Sequence, residues 1–159
     1  MGAGHPLALM ATTREIADDY SQTYHYFNTF GGNPVSAAVG KAVIEVIEDE
    51  GLLQNAASTG AYLESGLREL AGNHTCIGDV QGRGLFWGLD MVTDPATREP
   101  MSEAQMRHLG SLIVEQGVIT GTSGRYGQVL KLRPPLPFSR SDADLTLNAI
   151  DVALTRLAR

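Results

Sequence analysis

Four stretches of the chain place apolar residues on a helical repeat. Val39, Ala42, Val43, Val46 and Ile47 predict a helix over about 34–50. Asn33 suits its N-cap and Pro34 its first position. Leu63, Leu67 and Leu70 mark one face of a second helix, roughly 52–71, ended by Gly72-Asn73. Met106, Leu109, Leu112 and Ile113 follow a capping box at Ser102–Gln105, and Gly117 closes that helix. Leu147, Ile150, Leu154 and Leu157 form the last stripe, with Ser141 as the expected cap. A shorter helix around Glu15-Ile16-Ala17 takes Thr12 or Thr13 as its cap.

Between the helices the pattern changes to strands. Residues 75–80 and 85–92 read as two strands joined through Gln81-Gly82-Arg83-Gly84. A loop over 93–100 follows. Val118-Ile119-Thr120 and Val129–Leu132 predict short strands around a glycine-rich loop, 121–127, and Pro134, Pro135 and Pro137 block further pairing. Leu7–Ala11 reads as a short buried strand near the start. The order predicts an α/β chain in two parts. Residues 1–51 look like the tail of something larger, and 52–159 like a small α+β domain.

Composition narrows the function classes. Hydrophobic residues make up 43% of the 159 and charged ones 19%, as in ordinary globular chains. The net charge of -6 argues against a nucleic-acid partner, which needs clustered Lys and Arg. Cys76 is the only cysteine, and His5, His25, His74 and His108 lack metal-ligand spacing, so no metal site is expected. No apolar run reaches the ~18 residues of a membrane span, and no signal-peptide layout is present, so a cytoplasmic setting is expected.

Three clusters carry candidate chemistry. Asn28-Thr29-Phe30-Gly31-Gly32-Asn33-Pro34 precedes a helix, whose unpaired amides suit a phosphate; two glycines permit close approach and Thr29 adds a hydroxyl donor. The same residues also make a plain capped turn. Gly82-Arg83-Gly84 with Gly88 invites a dinucleotide reading, but Leu85–Val92 has strand texture, so a hairpin accounts for it better. Lys131 and Arg133 alternate on one strand and so share a face. They either protect an exposed edge or hold an anion. No nucleophile elbow is present, and Lys41, one of two lysines with Lys131, is expected on an exposed helix face.

Phe27–Pro34, the opening Met1–Ala8, the Gly78–Gly88 hairpin and Leu130–Leu136 together resemble class III aminotransferases, a fold-type I family that uses pyridoxal phosphate. The motifs run in order through essentially the whole chain. The Tyr26–Ser36 run and the Asp94–Arg98 loop resemble the branch holding alanine–glyoxylate aminotransferase-like proteins and phosphoethanolamine phospho-lyases.

The resemblance implies that Thr29 binds the cofactor phosphate across a homodimer interface, with Asn28 lining the same pocket. It implies that Lys131 stands where many members keep an arginine for the substrate carboxylate, beside Arg133 as a second substrate-binding candidate. The family's Schiff-base lysine would fall before Met1, so no residue of this chain is expected to be catalytic and the chain alone is expected to be inactive. The implied activity of the whole protein is transfer of an amino group between an amine or amino acid and a keto acid. The alternatives are a phospho-lyase acting on a phosphorylated amino alcohol, and a non-catalytic structural or dimerisation domain. Tyr24, Tyr26, Phe27 and Phe30 are expected to form an exposed apolar patch that meets the missing domain or the partner subunit.

Overall fold

The computed structural model describes residues 2–29 and 31–158; Met1, Phe30 and Arg159 lie outside them. The chain divides into two compact units, Met1–Gly51 and Leu52–Arg159.

The first unit holds two helices. Helix α1, Arg14–Thr23, starts at Thr13, whose hydroxyl accepts from the Ile16 amide. It buries no residue. Helix α2, Pro34–Asp49, begins where Asn33 and Pro34 predict. Asn33 Oδ1 accepts from the Ser36 amide at 2.9 Å. The expected strand at Leu7–Ala11 is not formed. Leu9 and Met10 are 70% and 90% exposed, and no strand among the described residues of this unit offers a ladder to join.

The second unit is a helix layer packed on one face of an antiparallel sheet. Helix α3, Leu52–Asn73, runs two residues beyond the expected stop. Strands β1, Ile77–Arg83, and β2, Phe86–Asp94, form a hairpin that pairs Arg83 with Phe86 and Val80 with Leu89. A two-residue strand β3, Glu99–Pro100, pairs with the end of β2 inside the expected 93–100 loop. The Asp94 carboxylate accepts from the Ala96 amide and shapes that turn, which holds it below the usual aspartate range. Helix α4 is Glu103–Glu115, with the Ser102–Gln105 capping box in place. Strands β4, Gly121–Ser123, and β5, Val129–Leu132, complete a sheet of order β1-β2-β5-β4. Helix α5, Arg140–Leu157, closes the layer.

Two boundaries differ from the sequence expectation for local reasons. The strand expected at 118–120 forms instead at 121–123. The glycine turn fixes it: Gly127 donates to Gly124, and the ladder grows outward from there as Ser123–Val129, Thr122–Leu130 and Gly121–Lys131. Ile119, outside that ladder, is 89% exposed. The α5 cap is Ser139, not Ser141. Asp142 reaches back to the Ser139 amide at 2.9 Å and completes a second capping box. The serine hydroxyl and amide together hold the Asp142 carboxyl below its usual range.

Alternation along the strands builds the core. Val80, Trp87, Leu89, Met91, Leu130 and Leu132 face the helices and are buried. They meet Leu63, Leu67 and Leu70 of α3, Met106, Leu109 and Ile113 of α4, and Ile150 and Leu154 of α5. Each such side chain contributes about 1.5–3 kcal/mol on burial. Gly88, Asp90, Val129 and Lys131 alternate to the other face and stay half-buried. No helix of the described residues is long and apolar enough to cross a membrane.

Candidate active-site elements

Thr29 and Asn28 sit in the turn that leads into α2. The Gly31 amide donates to the Asn28 carbonyl at 3.2 Å, and Asn28 Nδ2 donates to the Tyr26 hydroxyl at 3.1 Å. Both residues are exposed. A Cβ on Gly31 would come within 3.0 Å of the Asn28 side chain, so glycine there lets the turn close. Thr29 thus presents a hydroxyl at an open surface, a donor of the right type for one phosphate oxygen.

The α2 N-terminus itself is less open than its sequence suggests. Asn33 fills the cap, and its Nδ2 also donates to Ser36 Oγ at 3.0 Å. His5 Nε2 lies 2.8 Å from the same hydroxyl. This Ser–His contact is not a nucleophile and base. Ser36 is buried and committed to the cap, and among the described residues no carboxylate pairs with His5. Lys41, the lysine of this unit, is exposed and bonded to Glu45 at 2.6 Å, which matches its expected place on a helix face. Tyr24, Tyr26 and Phe27 are 60%, 70% and 79% exposed, while Phe30 lies outside the described residues.

In the second unit the uncovered face of the sheet forms a concavity of about 540 Å³. Lys131 lines it together with Gly88, Asp90, Ser123, Gln128 and Val129. Lys131 pairs across β5–β2 with Gly88 and across β5–β4 with Gly121. Its two cross-strand neighbours therefore have no side chains. A Cβ on Gly121 would already lie 3.3 Å from Lys131 Cε. The lysine side chain thus lies over Gly121, whereas the space above Gly88 is taken by the Val129 side chain.

Arg133 does not join it. The strand ends at Leu132, alternation stops there, and Arg133 lines a separate hollow with Val118, Pro134 and Leu145. The expected shared face is thus broken by the Pro-Pro corner. Among the described residues, Arg14, Lys41, Arg68, Arg98, Arg107 and Arg156 are in ion pairs, and Arg125 and Arg140 lie over tyrosine rings. Arg83, Lys131 and Arg133 have neither. Arg83 is exposed at the hairpin end, where Lys131 is half-buried.

The glycine-rich Gly82–Gly88 run is a hairpin, since a strand and not a helix follows Gly84. That removes the dinucleotide alternative. Cys76 is half-buried, and burial pushes its thiol above the usual range, which makes it a poor nucleophile. No cluster of metal-ligating side chains exists among the described residues. Asp90 and Gln128, which line the concavity, and Arg98, whose guanidinium reaches Asp90, were not visible as a group in the sequence. The meeting of Asp90 and Gln128 depends on the β2–β5 register, a long-range feature.

An antiparallel sheet with helices on one face, preceded by a turn-and-helix unit, defines a mixed helix–sheet architecture that matches fold-type I pyridoxal-phosphate enzymes. A family model described as "Aminotransferase class-III" matches residues 1–154, and the chain belongs to that family. It is 41% identical over its whole length to the ethanolamine-phosphate phospho-lyase homolog 1 of Caenorhabditis elegans, of which it covers 34%. It is 42% identical over 99% of its length to the mitochondrial alanine–glyoxylate aminotransferase 2 homolog 2 of Arabidopsis thaliana, covering 32% of that protein. Among solved structures, a phospholyase from Arthrobacter in complex with phosphoethanolamine superposes with a TM-score of 0.89 at 38% identity, over 98% of this chain and 36% of that one. A PLP-bound amine transaminase from an uncultivated Pseudomonas species gives 0.80 at 32% identity, over 91% and 34%. The chain spans about a third of the length of these relatives.

Proposed function

We propose that this chain is the C-terminal part of a pyridoxal-phosphate enzyme that removes phosphate from a phosphorylated amino alcohol. The observation that carries this reading is Lys131. It is a half-buried cation with no ion-pair partner among the described residues, lying over Gly121 on the open face of the sheet. A lysine is a compact point charge that can hold a phosphate, while the arginine fork that would clamp a substrate carboxylate bidentately is not at this position. Likeness to the phospholyase that holds phosphoethanolamine supports the same choice.

In this reading residues 1–51 are the tail of the large cofactor-binding domain, and 52–159 the small domain. Thr29 would donate its hydroxyl to the cofactor phosphate, with Asn28 beside it. Exposure of both residues and of Tyr24, Tyr26 and Phe27 supports their meeting a second subunit of a homodimer. The cofactor supplies an electron sink for the carbon that bears the amine. Neither lysine of this chain suits the covalent anchor: Lys41 is tied to Glu45, and Lys131 belongs to the other unit. That role falls to a lysine of the whole protein outside these residues, and the chain by itself is inactive. Lys131 holds the substrate's anionic group and so orients the carbon–oxygen bond that breaks.

Amino transfer to a keto acid is the second reading, favoured by the likeness to the Arabidopsis aminotransferase homolog. Product analysis separates the two. Given phosphoethanolamine, the whole protein is expected to release inorganic phosphate with no keto acid present. Amino transfer that requires a keto acid and leaves the phosphate ester intact would overturn the lyase reading.

A further inference from the structure

Asp90 is the one carboxylate lining the concavity that holds Lys131, and the two are not paired. Lys131 stands opposite Gly88. Asp90 lies two residues along β2 on the same face, opposite Val129. Diagonal neighbours of this kind are roughly 7 Å apart, within reach of a lysine side chain. Two other groups occupy the carboxylate instead. Gln128 Nε2 donates to Asp90 Oδ1 at 3.1 Å, and Gln128 Oε1 accepts from the Tyr126 amide at 3.1 Å, which fixes the direction of the amide. The Arg98 guanidinium is 3.5 Å from Asp90 Oδ2. Arg98 holds a left-handed backbone, φ +57°, where a glycine would ordinarily sit. Glycine would relax that backbone but could not reach Asp90.

We infer that Arg98 and Gln128 are positioning residues: they engage Asp90 from two sides and thereby leave Lys131 Nζ free for the anionic group of the substrate. The inference rests on the reading of Lys131 given above. Arg98 acts through Asp90 and touches no substrate. Without the two shields, Asp90 becomes the partner of Lys131 and competes with any incoming anion.

The chain has two lysines, so carbon labelling of their ε positions gives two signals, assigned with Lys41→Arg. Asp90→Asn alone is expected to leave the Lys131 signal in place. Arg98→Gly with Gln128→Ala moves it, and adding Asp90→Asn to that pair returns it. Arg98→Gly suits the local backbone, so the hairpin is retained. Inorganic phosphate is the probe for the anion site. It shifts Lys131 and not Lys41, with an affinity that drops roughly threefold in the double variant, the scale of a half-exposed ion pair, and recovers in the triple. A Lys131 signal unmoved in the double variant, or not restored in the triple, would overturn the shielding. A wild-type Lys131 blind to phosphate, with the variant cycle as expected, would overturn the anion site and leave the shielding standing.

Discussion

Gly60→Ala is expected to destabilise the second unit by about 3–5 kcal/mol. Gly60 lies in α3 where the helix crosses the β1–β2 turn. A Cβ there would come 2.3 Å from the Gly84 carbonyl oxygen and 2.6 Å from Gly84 Cα. Those atoms are backbone and cannot rotate aside. Gly84 has φ +58° in the tight turn, and its carbonyl accepts from Trp87 Nε1 at 2.6 Å. Trp87 is only 2% exposed, so its indole N–H has no ready substitute partner. Overpacking costs about 1–3 kcal/mol or more, and a stranded buried donor a further ~1–3. Against a typical total of about 5–15 kcal/mol, that is a large share. Urea unfolding followed by fluorescence of Trp87, the sole tryptophan, measures it. Gly110→Ala is the control. It sits within α4 with open space around it, and should gain about 0.5–1 kcal/mol. An unchanged midpoint for Gly60→Ala would mean that α3 does not ride on the turn.

Lys131→Met in the whole protein is expected to raise KM for a phosphorylated amine about ten- to a hundredfold. A hydrogen bond between charged groups is worth about 1.5–3 kcal/mol, and Met keeps the unbranched stem of the side chain without its charged end. A contact made equally in bound substrate and transition state appears in KM and not in kcat. Lys131→Arg retains most of the affinity for a phosphate, because the guanidinium keeps the positive charge and donors. Lys41→Met is the control: its contact with Glu45 is an exposed pair one helical turn apart, worth about 0.3–0.5 kcal/mol. Equal losses for phosphorylated and unphosphorylated amines in Lys131→Met would show that the lysine does not read the phosphate.

Much of the fold could be read from the chain because its helices carry local signals. Asn33-Pro34 and Ser102–Gln105 start α2 and α4 where caps predict, and the leucine stripes of α3 and α5 are the faces that meet the sheet. Strand ends were less legible. Val118-Ile119-Thr120 has the right residues for a strand, yet the 124–127 turn sets the register three positions later. Leu7–Ala11 has strand composition without a strand to pair with. Of the site, Thr29 carried weight only through the family motif, since a hydroxyl in a glycine turn is common. Lys131 was visible as a cation on a strand, but its separation from Arg133 depends on where β5 ends. Asp90 and Gln128 are brought together over 38 residues by the β2–β5 pairing, which no local pattern encodes, while Arg98 reaches Asp90 from the loop that directly follows β2.

The most direct test of the proposed pyridoxal-phosphate site is cofactor binding to the whole protein with Thr29→Ala. The hydroxyl is exposed here, so its loss should leave thermal stability without cofactor unchanged. Removal of one donor to a charged phosphate is expected to weaken cofactor retention about tenfold or more. Dialysis followed by cofactor absorbance reads this without any turnover. Weaker retention at unchanged stability supports the account; retention equal to that of the wild type would contradict it.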